Sequence, residues 1–232
     1  MVLIFGLVLS MSVIAAEDEY EEERYIDPDP WVGLNRGTHN FNDFFDRKLL
    51  RPVAVGYRKV IPGFARTGVS NVFSNLEDIG DAINNVLQGK VRDGSSDVVR
   101  FLVNTTIGIG GLFDPASRMG LVDHDEDFGQ TFGKWGVSNG PYFVIPFLGP
   151  SSVRDGLARI LDGSVNPLRY LYPVSHRNTI LAFRGVVYRA DLLVLDDVVF
   201  GDKYIFYRDA YFQRREYLIK DGEVSDPFAD DF

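Results

Sequence analysis

The sequence predicts an all-α protein, built as a single domain of many short and medium amphipathic helices. Apolar residues recur at helical spacing through most of the chain, and glycine and proline interrupt them at short intervals. A length of 232 residues with 45% hydrophobic residues suits one domain with a sizeable core. We expect any strand to be confined to a few residues near Gly133 to Val144.

The first two predicted helices each carry one apolar stripe opposite a polar one. Apolar residues at i, i+3, i+4 spacing indicate one helix face. Gly89 is expected to end the second of these helices. The two stripes are Phe41, Phe44, Phe45 and Leu49, and then Ile79, Ala82, Ile83, Val86 and Leu87.

Four more helices are predicted further along the chain. Ser96 or Asp97 is expected to cap a helix that runs through Ile107, and Ser151 to cap one that ends at Asp162-Gly163. The last two are expected at about residues 176–195 and 202–220. Both are rich in large apolar residues.

The two ends of the chain differ in composition from its body. Residues 1–16 carry no charge and end in small residues, which predicts a signal peptide, with an N-terminal membrane anchor as the alternative. Residues 17–29, with eight acidic residues and one arginine, are expected to form a poorly ordered acidic linker, and residues 221–232 an acidic tail. Most of the net charge of −9 lies in these ends, so the predicted helical domain, residues 30–220, carries about +3.

The sequence contains no recognisable catalytic or metal-binding pattern. It has no cysteine, and His39, His124 and His176 lie in different segments without the spacing of a zinc site. The acidic run from Asp123 to Asp127 lacks the glycine and the final glutamate of a calcium loop. We therefore predict no enzyme, no metal and no cofactor. There is no basic cluster with interleaved aromatic residues, so we expect no nucleic-acid partner.

The apolar helix faces allow two interpretations. They form an ordinary helical core, or some of them lie in a membrane interface, as in monotopic proteins. The sequence periodicity by itself favours the first.

Eight runs of sequence occur in an order that resembles the MlaA (VacJ) family of outer-membrane phospholipid-handling proteins. Single runs of this kind are weak signals, but their shared order from about Pro28 to Gly222 is specific. They are DPWVGLNRGTHNFN (29–42), RPVAVGYRKVIP (51–62), RTGVSNVFSNL (66–76), LQGK (87–90), RFLVNTTIGIGGLFDP (100–115), EDFGQTFGKWGV (126–137), GPYFVIPFLGPSSVRD (140–155) and RDAYFQR (208–214).

The resemblance implies a disc-like, monotopic helical body embedded in the inner leaflet of the outer membrane around an amphipathic passage. It implies removal of mislocalised phospholipid from the outer leaflet, with a trimeric porin and a soluble periplasmic lipid carrier as partners. It also implies export to the periplasmic face of the outer membrane. Members of the family are usually anchored through a lipidated cysteine after the signal peptide. Glu17 stands at that point here, so we do not expect that anchor in this sequence.

Polar residues within the otherwise apolar runs are the candidates to line the passage. For each of them the alternative is a helix cap or a hydrogen bond to the backbone. Arg36, Arg66, Arg100 and Arg154 are interpreted as structural ion-pair partners. Gly108, Gly110 and Gly111 are interpreted as positions of hinge motion or close packing, because their spacing fits no phosphate-binding loop. The passage candidates are Asn40, Asn42, Asn71, Asn75, Asn84, Asn104 and Thr106.

Two rival functions remain at this point. One is a porin-associated structural or adaptor protein that moves no lipid, and the other is a soluble carrier that encloses acyl chains. A carrier would bury its apolar helix faces, whereas a membrane-embedded body would leave a belt of them exposed.

Overall fold

The structure is a computed structural model that describes residues 29–196, 198–199 and 201–223. The predicted signal peptide (residues 1–16), almost all of the predicted linker and the end of the predicted acidic tail lie outside these residues. Asp29, placed by the sequence in the linker, is buried and accepts hydrogen bonds from the side chains of Asn35 and Tyr204. Asp221, placed in the tail, pairs with Lys90 and Lys134.

The first two helices form one continuous helical segment, and a short break at residues 61–62 separates it from the third. Helix α1 (Val32–Phe45) continues through a single π-helical turn (Asp46–Leu50) into α2 (Arg51–Val60). Pro52 has no backbone N–H and crowds the preceding turn, and the wider π turn provides the needed space. Helix α3 (Gly63–Leu87) begins immediately after Pro62.

Helices α3 and α4 (Val91–Thr106) form the most extensive helix pair. Gly89, at φ +84°, ends α3 as the sequence predicted. The predicted cap of the next helix was wrong, because α4 begins at Val91 and Ser96 and Asp97 lie inside it. Asp97 is instead buried and bonded to Asn85 and His124.

Short elements follow α4. Asp114 caps α5 (Pro115–Arg118) and Asp127 caps α6 (Phe128–Lys134), each by accepting a backbone N–H bond. The described residues contain one two-stranded antiparallel hairpin, β1 (Tyr142–Ile145) and β2 (Gly149–Ser152). The predicted strand window of 133–144 is wrong for β2, which lies beyond it. Phe147 and Gly149 adopt positive φ in the hairpin, and glycine makes that conformation inexpensive at 149.

The chain closes with three longer helices. Helix α7 (Val153–Val165) is capped by Ser152, not by Ser151, which lies in β2, and it runs two residues past the predicted end. A 3₁₀ turn (Pro167–Tyr170) leads to α8 (Val174–Asp191), which continues as a 3₁₀ turn (Leu192–Leu195). Helix α9 (Lys203–Ile219), capped by Asp202, is the last element. The all-helical prediction is confirmed, apart from the short hairpin.

The described part of the protein has an unusual interior. Polar and charged residues outnumber hydrophobic ones among the buried positions, and half of the buried hydrophobic residues are alanine. A small aromatic cluster joins Tyr142 and Val144 of β1 to Tyr204 of α9. Burying so many polar groups is tolerable only where they bind one another, so the interior depends on hydrogen bonds and ion pairs.

Candidate functional site

A large cavity of about 1380 Å³ lies between α1, α3, the hairpin and the three C-terminal helices α7, α8 and α9. Its wall combines apolar side chains, such as Phe147, Leu181 and Leu218, with many charged ones. The volume exceeds the usual range for a small-molecule pocket, which is about 300–1,000 Å³. The cavity is therefore large enough to admit a ligand bigger than a typical metabolite.

The charged groups of the wall are ten carboxylates and seven arginines, with no lysine among the described lining residues. Arginine presents a planar fork of donors and is more weakly hydrated than lysine, so it suits contact with carboxylates and phosphates away from bulk water. The carboxylates are Asp43, Asp46, Glu77, Asp81, Asp125, Glu126, Asp127, Asp155, Asp162 and Asp196. The arginines are Arg159, Arg169, Arg177, Arg184, Arg189, Arg214 and Arg215.

Most of these carboxylates are held by a cation. Arg189 bridges Asp46 and Asp196, with nitrogen–oxygen distances of 2.8 Å to each. Arg215 binds Asp127 at 2.6 Å and Asp155 at 2.8 Å. Arg214 pairs with Asp125, Arg184 with Glu77, and Lys90 with Glu126. These pairs fix the wall by joining helices that are distant in sequence.

Two carboxylates of the wall, the buried Asp81 and the half-buried Asp162, have no cation within ion-pair distance among the described residues. Burial raises the pKa of Asp81 to about 9, although its Oδ1 accepts a hydrogen bond from the Glu126 N–H. Burial likewise raises the pKa of Asp162 to about 6, although the Phe128 N–H and Arg159 favour its charged form. Asp81 is therefore uncharged at neutral pH, which makes the wall less acidic than its composition indicates.

Three of the four arginines that the sequence predicted to be structural ion-pair partners form ion pairs in the structure. Arg36 pairs with Asp202, Arg154 with Asp155, and the buried Arg100 with Asp78, Asp114 and Asp123. Arg100 also donates to the Leu121 carbonyl at 2.9 Å. Arg66 forms no ion pair within the part of the chain that the structure describes, and its Nε is buried without a partner.

The outer surface carries many large apolar side chains away from the cavity. On α4, Val98 and Leu102 are 48% and 53% exposed, and Phe64 at the start of α3 is 83% exposed. Trp31, Phe44, Ile107 and Trp135 are exposed too. Large exposed apolar surfaces are typical of sites that contact membranes or other proteins. No helix in the described ranges has the length and apolar character needed to cross a membrane.

Two of the seven predicted passage residues line the cavity, Asn42 and Asn84. Asn42 donates to the Ile145 carbonyl at 3.0 Å and accepts from the Phe147 N–H at 2.8 Å. Asn84 donates to the Gly80 carbonyl at 3.0 Å and accepts from the Thr131 hydroxyl at 2.8 Å. Both amides are thus engaged in protein hydrogen bonds.

The other five passage candidates lie outside the cavity wall. Asn75 and Asn104 are buried and bind Thr105 and Asp114. Asn71 reaches the Leu112 carbonyl at 3.4 Å, and Thr106 returns to the Leu102 carbonyl at 2.6 Å. Asn40 is exposed on α1.

The three predicted glycines lie in the turn between α4 and α5. A Cβ at Gly108 would lie 2.3 Å from the Phe113 carbonyl oxygen, and one at Gly111 would lie 2.8 Å from Cβ of Asn75. Gly110 has open space but a φ of +67°. This geometry fits close packing of the turn against α3 and α4.

Asn35 and the lining arginines were not among the sequence candidates. Asn35 is buried and uses both ends of its amide on β1, donating to the Tyr142 carbonyl at 3.1 Å and accepting from the Val144 N–H at 3.0 Å. Its separation from Asn42 by seven residues, two helical turns, places both on one face, a signal that the sequence did contain. The arginines carry no such local signal, because the cavity brings them together from separate helices.

The described residues contain no group of three or more histidine, cysteine, aspartate or glutamate side chains arranged to hold a metal ion. His39, His124 and His176 lie on different elements. His124 Nδ1 lies 2.6 Å from Asp97 Oδ1, so the imidazole has a structural role as the partner of this buried carboxylate.

Comparison with known proteins identifies a family, several relatives by sequence and a related solved structure. The profile of the MlaA lipoprotein family matches residues 27–218. The chain is 38% identical over 203 residues to the intermembrane phospholipid transport system lipoprotein MlaA of Escherichia coli (strain K12), covering 84% of this chain and 80% of that protein. It is 29% identical over 202 residues to the protein of the same name from Haemophilus influenzae, covering 82% and 79%.

Other relatives include an uncharacterized protein of Rickettsia typhi, 36% identical over 192 residues, covering 81% of this chain and 76% of that one. A solved structure from work on the structural basis for maintenance of bacterial outer membrane lipid asymmetry superposes with a TM-score of 0.74 at 36% identity. That match covers 82% of this chain and 98% of the other.

Proposed function

The chain belongs to the MlaA lipoprotein family, and on that basis we propose that it transports phospholipid between membranes and so maintains the lipid asymmetry of the outer membrane. The names of its relatives describe an intermembrane phospholipid transport system. In this proposal it removes mislocalised phospholipid from the outer leaflet of the outer membrane.

The observation that carries the proposal is an amphipathic cavity inside a protein with an apolar exterior. Large apolar side chains are exposed on the outside, while the wall of the cavity of about 1380 Å³ combines apolar side chains with ten carboxylates and seven arginines. Moving a charged headgroup through hydrocarbon is very costly, because nothing there replaces its hydration. A cavity wall of paired charges and amides lowers that cost, while the acyl chains stay outside in lipid.

The same polarity supports location at the membrane without a spanning helix. Amphipathic helices lying in the interface bind through their apolar faces. We place the protein as a disc-like, monotopic body at the periplasmic face of the outer membrane, exported by the segment at residues 1–16. A soluble carrier would bury its apolar faces, and the exposed residues of α3 and α4 argue against that alternative.

The proposed partners follow from the proposed movement of lipid out of the outer membrane. A lipid taken from the outer membrane needs an acceptor in the aqueous periplasm, so we propose a soluble lipid carrier. We also propose a trimeric outer-membrane porin as the protein that holds this one in place. The description of the relatives as parts of a transport system supports an assembly of several components.

The alternative is a porin-associated adaptor that moves no lipid. Expression of this chain in Escherichia coli lacking its own MlaA separates the two. Lipid transport predicts that the chain restores growth in detergent with chelator and lowers the phospholipid accessible at the cell surface. Normal abundance and porin co-purification without any fall in surface phospholipid would contradict transport and support the adaptor.

A further inference from the structure

Three arginines of the cavity wall stand apart from the others because they form no ion pair with a carboxylate in the described part of the chain. They are Arg159 on α7, Arg169 in the following 3₁₀ turn and Arg177 in the first turns of α8. All three line the cavity. The other four lining arginines each bind at least one carboxylate.

The three arginines lie along the part of the wall that runs from α7 through the 3₁₀ turn to α8. A Cβ built on Gly163 would lie 3.1 Å from Nη1 of Arg169. Arg159 precedes Gly163 by four residues and shares its helix face. Arg177 Nη1 lies 3.4 Å from the carbonyl oxygen of Arg169, and its Nε lies 3.4 Å from Asn178 Oδ1.

The local acidic groups form no ion pair with these three arginines. Asp127 is bound by Arg215 in two hydrogen bonds. Asp162, whose pKa burial raises to about 6, accepts at its Oδ1 from the Phe128 N–H. Both attract Arg159 from beyond ion-pair distance. Three arginines therefore face the cavity with unused donors.

An apolar edge borders the arginines. Tyr170 and Tyr172 are 72% and 89% exposed, and Leu171 and Val174 are exposed beside them. Tyrosine with neighbouring aliphatic residues is typical of protein surfaces at the boundary between hydrocarbon and headgroups. A phospholipid joins acyl chains to an anionic phosphodiester. It could therefore place its acyl chains at the apolar edge and its phosphodiester at the adjacent arginines.

We propose that Arg159, Arg169 and Arg177 bind the phosphodiester of a phospholipid headgroup as it enters or leaves the cavity at the edge formed by residues 170–174. Guanidinium groups bind phosphate oxygens in a bidentate, charge-assisted manner. The assignment rests on the proposed function and adds to it a specific site of headgroup contact.

The test measures binding to the purified full-length protein in a non-ionic detergent by calorimetry. Three probes separate the parts of the ligand: dihexanoylphosphatidylglycerol, the uncharged dihexanoylglycerol and inorganic phosphate. Each arginine is replaced by glutamine singly and in a triple variant. None of the three forms an ion pair with a described carboxylate, so each substitution breaks no salt bridge and the variants are expected to fold as the wild type does. Thermal unfolding verifies this.

We expect each substitution to weaken binding of the phospholipid by about tenfold, which corresponds to about 1.4 kcal/mol, because each removes charge-assisted hydrogen bonds to the phosphodiester. Binding of dihexanoylglycerol is expected to stay unchanged. The matched control is Arg118→Gln, an exposed arginine outside the cavity, which should bind all probes as the wild type does. Arg→Lys at the three positions should fall between wild type and glutamine.

Three results would overturn or redirect the assignment. If the wild type binds the phospholipid and the triple variant binds it equally well, the arginine site is wrong while lipid transport stands. If inorganic phosphate binds as tightly as the phospholipid and is lost in the triple variant, the site is one for free phosphate. If the wild type binds neither lipid, the proposed function itself fails.

Discussion

At the scale of single residues, amides and carboxylates replace the apolar packing expected of a helical core. Asn104 shows this most directly, because its Oδ1 accepts from the buried Ala116 N–H at 3.1 Å and its Nδ2 donates to Asp114 at 3.1 Å. It joins α4 to α5 and lies outside the cavity wall. The alternative interpretation of Asn104, a hydrogen bond to the backbone, describes the contact of its Oδ1.

Asn104→Leu is accordingly expected to destabilise the protein by about 3 kcal/mol, because it removes two hydrogen bonds and leaves a buried N–H without an acceptor. Asn40→Leu is the matched control, since Asn40 is exposed and its substitution should change the free energy of unfolding by less than about 0.5 kcal/mol. Urea unfolding of both variants measures the difference. Equal stability of the two would show that the Asn104 amide has no structural role.

Asp81 predicts a pH dependence of stability. Its pKa is raised by burial to about 9 in the folded protein, above the ordinary value of 3.8. The folded state therefore holds a proton that the unfolded state loses, so this group's contribution falls as pH rises from about 4 to 9, by up to about 1.4 kcal/mol per pH unit.

Asp81→Asn removes this titration and keeps the acceptor for the Glu126 N–H. The variant should unfold at higher urea concentration than the wild type at pH 8 and at a similar concentration at pH 4. If the difference in urea midpoint between the wild type and the variant is the same at pH 4 and pH 8, the raised pKa is contradicted.

At the scale of elements, α1 organises the hairpin through two asparagines on one helix face. Asn35 and Asn42 bind four backbone groups between Tyr142 and Phe147, in the manner of an additional strand. The hairpin in turn carries Val144 and Phe147 to the cavity wall. The position of that part of the wall therefore depends on α1.

Asn42→Leu is expected to loosen the hairpin, because the Phe147 N–H and the Ile145 carbonyl lose their partner. Amide hydrogen exchange between residues 142 and 149 should accelerate by about tenfold, which corresponds to roughly 1.4 kcal/mol, while exchange in α3 and α4 stays unchanged. Asn40→Leu, on the same helix but without a described side-chain bond, should leave the hairpin protected. Uniform acceleration over the whole protein would indicate global destabilisation.

The turn between α4 and α5 offers a second test at this scale. Gly108→Ala should destabilise strongly, because its Cβ would lie 2.3 Å and 2.4 Å from two backbone oxygens. Gly110→Ala has open space and meets only the strain of a positive φ, about 1 kcal/mol. Thermal unfolding that ranks the variants in the reverse order would contradict close packing at Gly108.

At the scale of the whole molecule, the exposed apolar side chains support the proposed location at the membrane. Val98 and Leu102 lie one turn apart on the exposed face of α4. Transfer of such side chains from water into lipid is favourable by roughly 25 cal/mol per Å² of apolar surface removed from water. In the proposed location, the exterior therefore supplies the affinity for the membrane.

The mature protein is expected to fractionate with the outer membrane. Introducing Val98→Lys with Leu102→Lys should reduce flotation with phosphatidylethanolamine–phosphatidylglycerol vesicles several-fold, because charged side chains resist transfer from water into lipid. Gln213→Lys, exposed on α9, is the control for an added charge. Quantitative recovery of the wild type in the soluble periplasmic fraction would contradict membrane association.

The sequence by itself determined the helical class, several helix ends and the family. Gly89 ends α3 and Pro62 separates α2 from α3 through local backbone geometry, which a one-dimensional pattern records. The apolar periodicity also located the faces of α1 and α3. Local and strongly periodic signals of this kind require no knowledge of distant contacts.

Only the tertiary structure decided which apolar helix faces are exposed and which polar residues face the cavity. The sequence periodicity favoured an ordinary core, because an apolar stripe looks the same against a core and against a membrane. Asn42 and Asn104 look alike in sequence, yet one lines the cavity and the other joins two helices. Arg159, Arg169 and Arg177 line the same cavity because the elements that carry them fold around it, which their spacing in the sequence does not reveal.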